Sequence, residues 1–234
     1  YKYYKTILIV INSGLNYLSQ KNKMNKLIVI SSGKGGVGKT TTAVNLGASL
    51  AEIDKSILLV DVDPQGNATS GLGIEKSKLN NSIYDVLIDD IEIKETIVDT
   101  EISNFSILPA NIDLAGAEIE LVSMISRESR LKSIINEIVD IYDYIIFDCP
   151  PSLGLLTLNA LTAADGIIVP IQCEYYALEG LGQLMKTVNL VQDNLNEELI
   201  IEGVLLTMYD ARTNLSQQVI EEVKKHFKDT VFDT

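Results

Sequence analysis

The sequence predicts an α/β fold built on a doubly wound, mainly parallel sheet. Three observations carry that prediction. Short apolar runs at residues 27–30, 57–61, 105–109, 144–148, 166–170 and 200–207 alternate with stretches of helical period. Two of the runs, Ile57–Asp61 and Tyr144–Asp148, end in an acid. A glycine-rich turn joins the first run to the first helical pattern. In an open α/β sheet such turns and acids gather at the C-terminal edge of the strands, where ligands bind.

The glycine-rich turn reads Gly33, Lys34, Gly35, Gly36, Val37, Gly38, Lys39, Thr40, Thr41. It follows the run LIVI and opens a pattern with Ala43, Val44, Gly47, Leu50 and Ala51 on one face. That is the strand, loop and helix context in which G-x-x-x-x-G-K-[ST] means a phosphate-binding P-loop. Glycines let backbone N–H groups wrap a phosphate, and the helix N-terminus adds its positive end. Lys39 is placed to neutralise the β- and γ-phosphates, and the Thr40 hydroxyl to join a Mg²⁺ shell. Lys34 adds a cation that a plain P-loop does not require, suited to extra phosphate charge or to a neighbouring subunit's phosphates.

The second strand leads into residues 61–73, whose Pro, Gly and Asn make it a loop. Asp61 and Asp63 open it. Residues 80–100 carry acidic, weakly helical pieces, then 105–109 reads as a strand. Helices are expected at 114–125 and 128–139, with Arg127, Arg130 and Lys132 on a solvated face. Apolar residues ending in Asp148 are what a Walker B element needs, the carboxylate lying beside the P-loop to hold Mg²⁺. Helices at 155–163, 177–195 and 216–227 alternate with strands at 166–170 and 200–207, and residues 231–232 open a further strand. Residues 1–23, rich in Tyr, Lys and Asn, read as an upstream extension, and Met24 as the natural start of one domain, 24–234.

The chain has 234 residues, 46% hydrophobic and 22% charged, enough for one large α/β domain. Its net charge of -13 excludes coating nucleic acid by bulk charge but leaves room for a local basic patch. Cys149 and Cys173 have no metal-ligand spacing and support no disulfide framework, so the chain reads as cytosolic. The one histidine, His226, has no catalytic company.

Residues 34–41 resemble the deviant Walker A box, which specifies the fold as a P-loop NTPase of that type. Together with residues 61–73, 148–154, 174–180 and 206–215, they resemble the ParA/Soj chromosome- and plasmid-partitioning ATPases from Met24 onward. The Ser32-Gly33 pair is more usual in MinD and Mrp-type relatives. The resemblance implies an ATP hydrolase using ATP and Mg²⁺ that forms an ATP-dependent homodimer and binds DNA nonspecifically. A ParB/Spo0J-like partner would stimulate hydrolysis and so release. It implies a nucleoid-associated cytoplasmic protein without stable membrane association. By the same resemblance Lys34 reaches the partner subunit's ATP, and Gly35 permits close approach there. Lys34, Lys39 and Asp63 are the catalytic set, Thr40 and Asp148 hold the metal, and Arg212 falls at a DNA-binding position. Lys224, Lys225 and Lys228 are candidates to extend that patch. The family's further C-terminal segment and helix are not in this sequence, so the domain is expected to be C-terminally truncated. The alternative is a MinD-like membrane-switching ATPase for division-site placement.

Overall fold

The computed structural model describes residues 25–174, 177–210 and 212–232. The expected upstream extension and Met24 lie outside them. Seven strands form one sheet: β1 (Lys26–Ile30), β2 (Ile57–Asp61), β3 (Val98–Asp99), β4 (Phe105–Leu108), β5 (Tyr144–Asp148), β6 (Gly166–Gln172) and β7 (Ile200–Thr207), in the spatial order β3-β4-β2-β5-β1-β6-β7. Pairing is parallel except for β3, which runs antiparallel to β4 at one edge. The mainly parallel sheet expected from the alternation is thus the one found.

The central strands are buried on both faces, and their side chains alternate between two cores. Ile28 and Ile30 of β1 and Ile57 and Leu59 of β2 join Ala43, Leu46 and Leu50 of α1 (Lys39–Ala51). Leu27, Val29, Leu58, Val60, Ile145 and Phe147 face the other layer. That layer holds α3 (Ile83–Ile88), α5 (Leu114–Glu120), α6 (Arg130–Ile135), α7 (Leu155–Ala163) and α8 (Ala177–Asn194). The short helices α2 (Asn67–Gly71) and α4 (Ile93–Thr96) and the last helix α9 (Asn214–Phe227) complete the order. Ser82 caps α3 in a box with Asp85, whose carboxylate takes the Ser82 N–H at 2.6 Å.

Several local readings are corrected. The 61–73 loop contains α2, and the two-residue strand β3 lies in the stretch read as acidic and weakly helical. The helices expected at 114–125 and 128–139 are shorter, ending at Glu120 and Ile135 in 3-10 and irregular turns. Arg130 does not sit on a freely solvated face: its Nε donates to the Leu87 carbonyl at 3.0 Å and its Nη2 pairs with Asp90. It ties α6 to the end of α3. Val231 makes a parallel bridge to Val204, as the final apolar residues suggested.

Register brings the site together. Asp148 is the Cα partner of Ile30 on one side and of Asp61 on the other. The P-loop after β1, the loop after β2 and the turn after β5 therefore leave the sheet at one level of its C-terminal edge.

Candidate nucleotide site

The P-loop runs from Ser31 to the start of α1, where Gly38 is the N-cap residue at φ 92°. This left-handed geometry favours glycine strongly, and the helix N-terminus that follows is the positive end that a phosphate would meet. Val37 is buried, and its carbonyl accepts the Thr207 hydroxyl at 2.9 Å from the end of β7. Gly33 lies against Gly180 of α8 so closely that a Cβ would stand 2.3 Å from the Gly180 carbonyl oxygen. The loop is thus braced from two elements well beyond its own unit. Gly36 and Thr41 are exposed.

Lys39 is buried, and its ammonium donates to the Lys34 carbonyl at 3.1 Å. Burial pulls its pKa down, opposed by the charges of Asp148 and then Asp63. Those two carboxylates and the ammonium therefore share one electrostatic neighbourhood. Asp148 is fully buried, and neither carboxylate oxygen has a hydrogen-bond partner among the described residues. Burial pushes its pKa up to about 7; the nearby Thr40 hydroxyl favours the charged form, while Asp61 and Asp63 oppose it. Two orphaned, buried carboxylate oxygens beside a hydroxyl are an environment suited to a divalent cation. Thr40 and Asp148 are the residues that would hold Mg²⁺ here.

The aspartates after β2 do different things. Asp61 is fully buried. Its Oδ2 accepts both the N–H and the hydroxyl of Thr69, at 2.8 and 2.7 Å, and its Oδ1 accepts the Asp63 N–H at 3.3 Å. Burial still outweighs these bonds and raises its pKa to about 6. The Thr69 hydroxyl also accepts the Ala110 N–H at 3.0 Å. Asp61 and Thr69 thus fasten the loop to the chain after β4, a role that spacing alone did not reveal. Asp63 is 8% exposed, and its Oδ1 caps a local turn by accepting the Gln65 N–H at 2.9 Å.

Lys34 and Gly35 sit at the opposite lip. The Lys34 ammonium pairs with Glu174, in the segment between β6 and α8. Gly35 is exposed, and a Cβ there would find nothing nearer than Pro151 at 3.9 Å. Arg212 stands apart, on the loop after β7. Its guanidinium is 88% exposed and forked onto Asp210, at 2.9 Å to Oδ1 and 2.8 Å to Oδ2. The hydrogen bonds to Arg212 hold the Asp210 carboxyl below its usual range. Lys225 is engaged by Glu222 at 3.0 Å. Glu174, Gly180 and Thr207 were missed as members of the site, because their closeness to the P-loop exists only after β6 pairs with β1 and β7 with β6.

A phosphate loop with two flanking acids at a parallel sheet's C-terminal edge defines a P-loop ATPase that uses ATP and Mg²⁺. The AAA domain family model matches residues 25–201. Sporulation initiation inhibitor protein Soj of Bacillus subtilis (strain 168) is 64% identical over 211 residues, covering 90% of this chain and 83% of that protein. Chromosome partitioning protein ParA of Myxococcus xanthus (strain DK1622) is 55% identical over 210 residues, covering 90% and 74%. A crystal structure described as cobyrinic acid a,c-diamide synthase from Mycobacterium smegmatis, with ADP and magnesium bound, superposes with a TM-score of 0.83 at 44% identity, covering 88% of this chain and 83% of that one. The same protein has been crystallised with an ATP analogue and magnesium. The chain belongs to the ParA/Soj family of partitioning ATPases.

Proposed function

We propose that this protein is a DNA-segregation ATPase that dimerises on ATP, binds DNA nonspecifically as a dimer, and is released when a ParB/Spo0J-like partner stimulates hydrolysis. The observation that carries the reading is the outer lip of the P-loop. Lys34 supplies a second cation there, and next to it Gly35 has no steric reason within the protomer to be glycine. A second copy approaching this lip would give both residues a purpose: Lys34 to meet the opposing phosphates, Gly35 to let two backbones close.

In this reading Gly33, Gly36, Val37, Gly38 and Thr41 shape the phosphate cradle, and Lys39 neutralises the bound phosphates. Thr40 and Asp148 hold the cation, which when bound screens phosphate charge. Asp63, which shares the electrostatic neighbourhood of Lys39 and Asp148, would orient the attacking water. Arg212 is the DNA contact. A net charge of -13 requires such contact to be local, and a dimer doubles it. Nucleoid association follows from DNA binding. Among the described residues no helix is long and apolar enough to cross a membrane.

The test is retention on a duplex of arbitrary sequence, with ATP or ADP, alongside sedimentation. The parent should dimerise and bind DNA with ATP only, losing affinity steeply as salt rises. Lys34→Ala should lose both properties, and Arg212→Glu should lose DNA while keeping the dimer. Equal DNA affinity in the ATP and ADP states, or full affinity in Arg212→Glu, would overturn the reading.

A further inference from the structure

Within one protomer, the cation expected to act on another subunit is already engaged. The Lys34 ammonium forms an ion pair with Glu174 Oε1, a buried oxygen with no hydrogen-bond partner among the described residues. Both side chains are about one-third exposed, at 36% and 33%, so the pair is neither dry nor fully screened. The surroundings fix it in place. A Cβ added to Gly180, in the first turn of α8, would stand 3.6 Å from the Lys34 Cβ. Gly33 is pressed on the same glycine, and Ser32, Val37, Gln172 and Leu181 close a small space around Lys34 and Glu174. Gly180 of α8 therefore packs on the backbone of this part of the P-loop, while Glu174, ahead of α8, holds the ammonium.

We infer that Glu174 is a cis anchor for Lys34, a positioning residue that holds the ammonium on its own protomer and must release it before Lys34 can reach a phosphate on a second copy. The inference rests on the proposed trans role of Lys34. The carboxylate and the opposing phosphate compete for one ammonium, so the anchor raises the protein concentration at which ATP drives dimerisation. It also gives the free protomer a satisfied, ordered lip instead of a mobile cation. An ion pair of this exposure is worth about 0.2–1 kcal/mol. Two are broken per dimer, so removing the carboxylate should tighten the dimer about 2- to 30-fold.

The experiment compares the parent, Glu174→Gln and Lys34→Ala by sedimentation with ATP and Mg²⁺ across a range of protein concentrations. Lys34 acetylation by acetic anhydride is followed by mass spectrometry on each Lys34-containing protein without nucleotide. Glu174→Gln should dimerise at lower concentration than the parent, by a margin that shrinks as salt rises. Its Lys34 should acetylate faster than the parent's. A dimer that is unchanged or weaker in Glu174→Gln, with Lys34→Ala defective, would overturn the anchor and leave the trans role standing. A Lys34→Ala protein that dimerises like the parent would overturn the trans role, and the anchor with it. Equal Lys34 acetylation in Glu174→Gln and the parent would also overturn the anchor, because it would mean that Glu174 does not hold the ammonium in solution.

Discussion

Replacing Asp148 by asparagine should make the protein more stable without its metal and less responsive to it. The substitution keeps shape and removes charge. In the fold the Asp148 carboxyl rises from an ordinary 3.8 to about 7, chiefly through burial. Tenfold in proton affinity corresponds to about 1.4 kcal/mol, so at pH 8 the buried charge costs the fold about 4 kcal/mol. An amide in the same place still lacks partners, at about 1–3 kcal/mol. The net gain for Asp148→Asn without Mg²⁺ is about 1–3 kcal/mol, or about 2–12 °C in Tm for a chain of this size. The sign of the pH dependence follows from linkage. A carboxyl whose folded pKa exceeds its unfolded value binds more protons when folded, so parent stability falls as pH rises from about 4 to about 7. The advantage of the variant is therefore largest above pH 7 and shrinks on acidification. With Mg²⁺ and ATP the order reverses, because ligand binding to the folded state stabilises the parent, whereas the substituted amide offers no charge to the cation. Circular dichroism melts at pH 8 and pH 5, each with EDTA or Mg-ATP, measure all of this. A variant no more stable than the parent in EDTA at pH 8, or one gaining as much Tm from Mg-ATP, would refute the reasoning.

Thr69→Val and Asp63→Ala should separate fold from chemistry in the loop after β2. Thr69→Val strands the Ala110 N–H and removes a bond to Asp61, so Tm should drop by about 2–12 °C. Asp63→Ala loses only a local turn bond, so its melt should stay within about 2 °C while single-turnover ATP hydrolysis slows sharply. A Cβ added at Gly35 meets nothing closer than 3.9 Å within the protomer, so Gly35→Val should melt like the parent, yet fail to form the ATP-dependent dimer in sedimentation.

Much of this architecture was legible in the chain. The motif from Gly33 to Thr41 and the acids ending two apolar runs are local signals, and each placed its residues at the correct edge. Helix Leu155–Ala163 and strand Ile200–Thr207 were readable to the residue because each is a mainly apolar run closely flanked by turn-forming or polar residues. The failures have a common physical origin. β3 is two residues long and gains its identity only from pairing with β4, so it leaves no period to detect. Arg127 and Arg130 look like surface charges, but their partners, the Val122 and Leu87 carbonyls, are set by how neighbouring turns end. Lys34 stands out in the chain as a cation that a plain P-loop lacks, whereas Glu174 beside it required the packing of the chain after β6 on the P-loop.

The alignment of Ile30, Asp148 and Asp61 on three neighbouring strands bears on how the protein comes into being. On a ribosome the phosphate loop emerges first, and Asp148 follows about a hundred residues later, after roughly 5–20 s at ordinary synthesis rates. Until then β1 and β2 cannot be neighbours by way of β5, because β5 is the strand that lies between them. A nascent chain therefore carries a complete glycine motif for many seconds without the carboxylate that completes its cation site. The cation site is therefore complete only once β5 lies between two strands that were made before it.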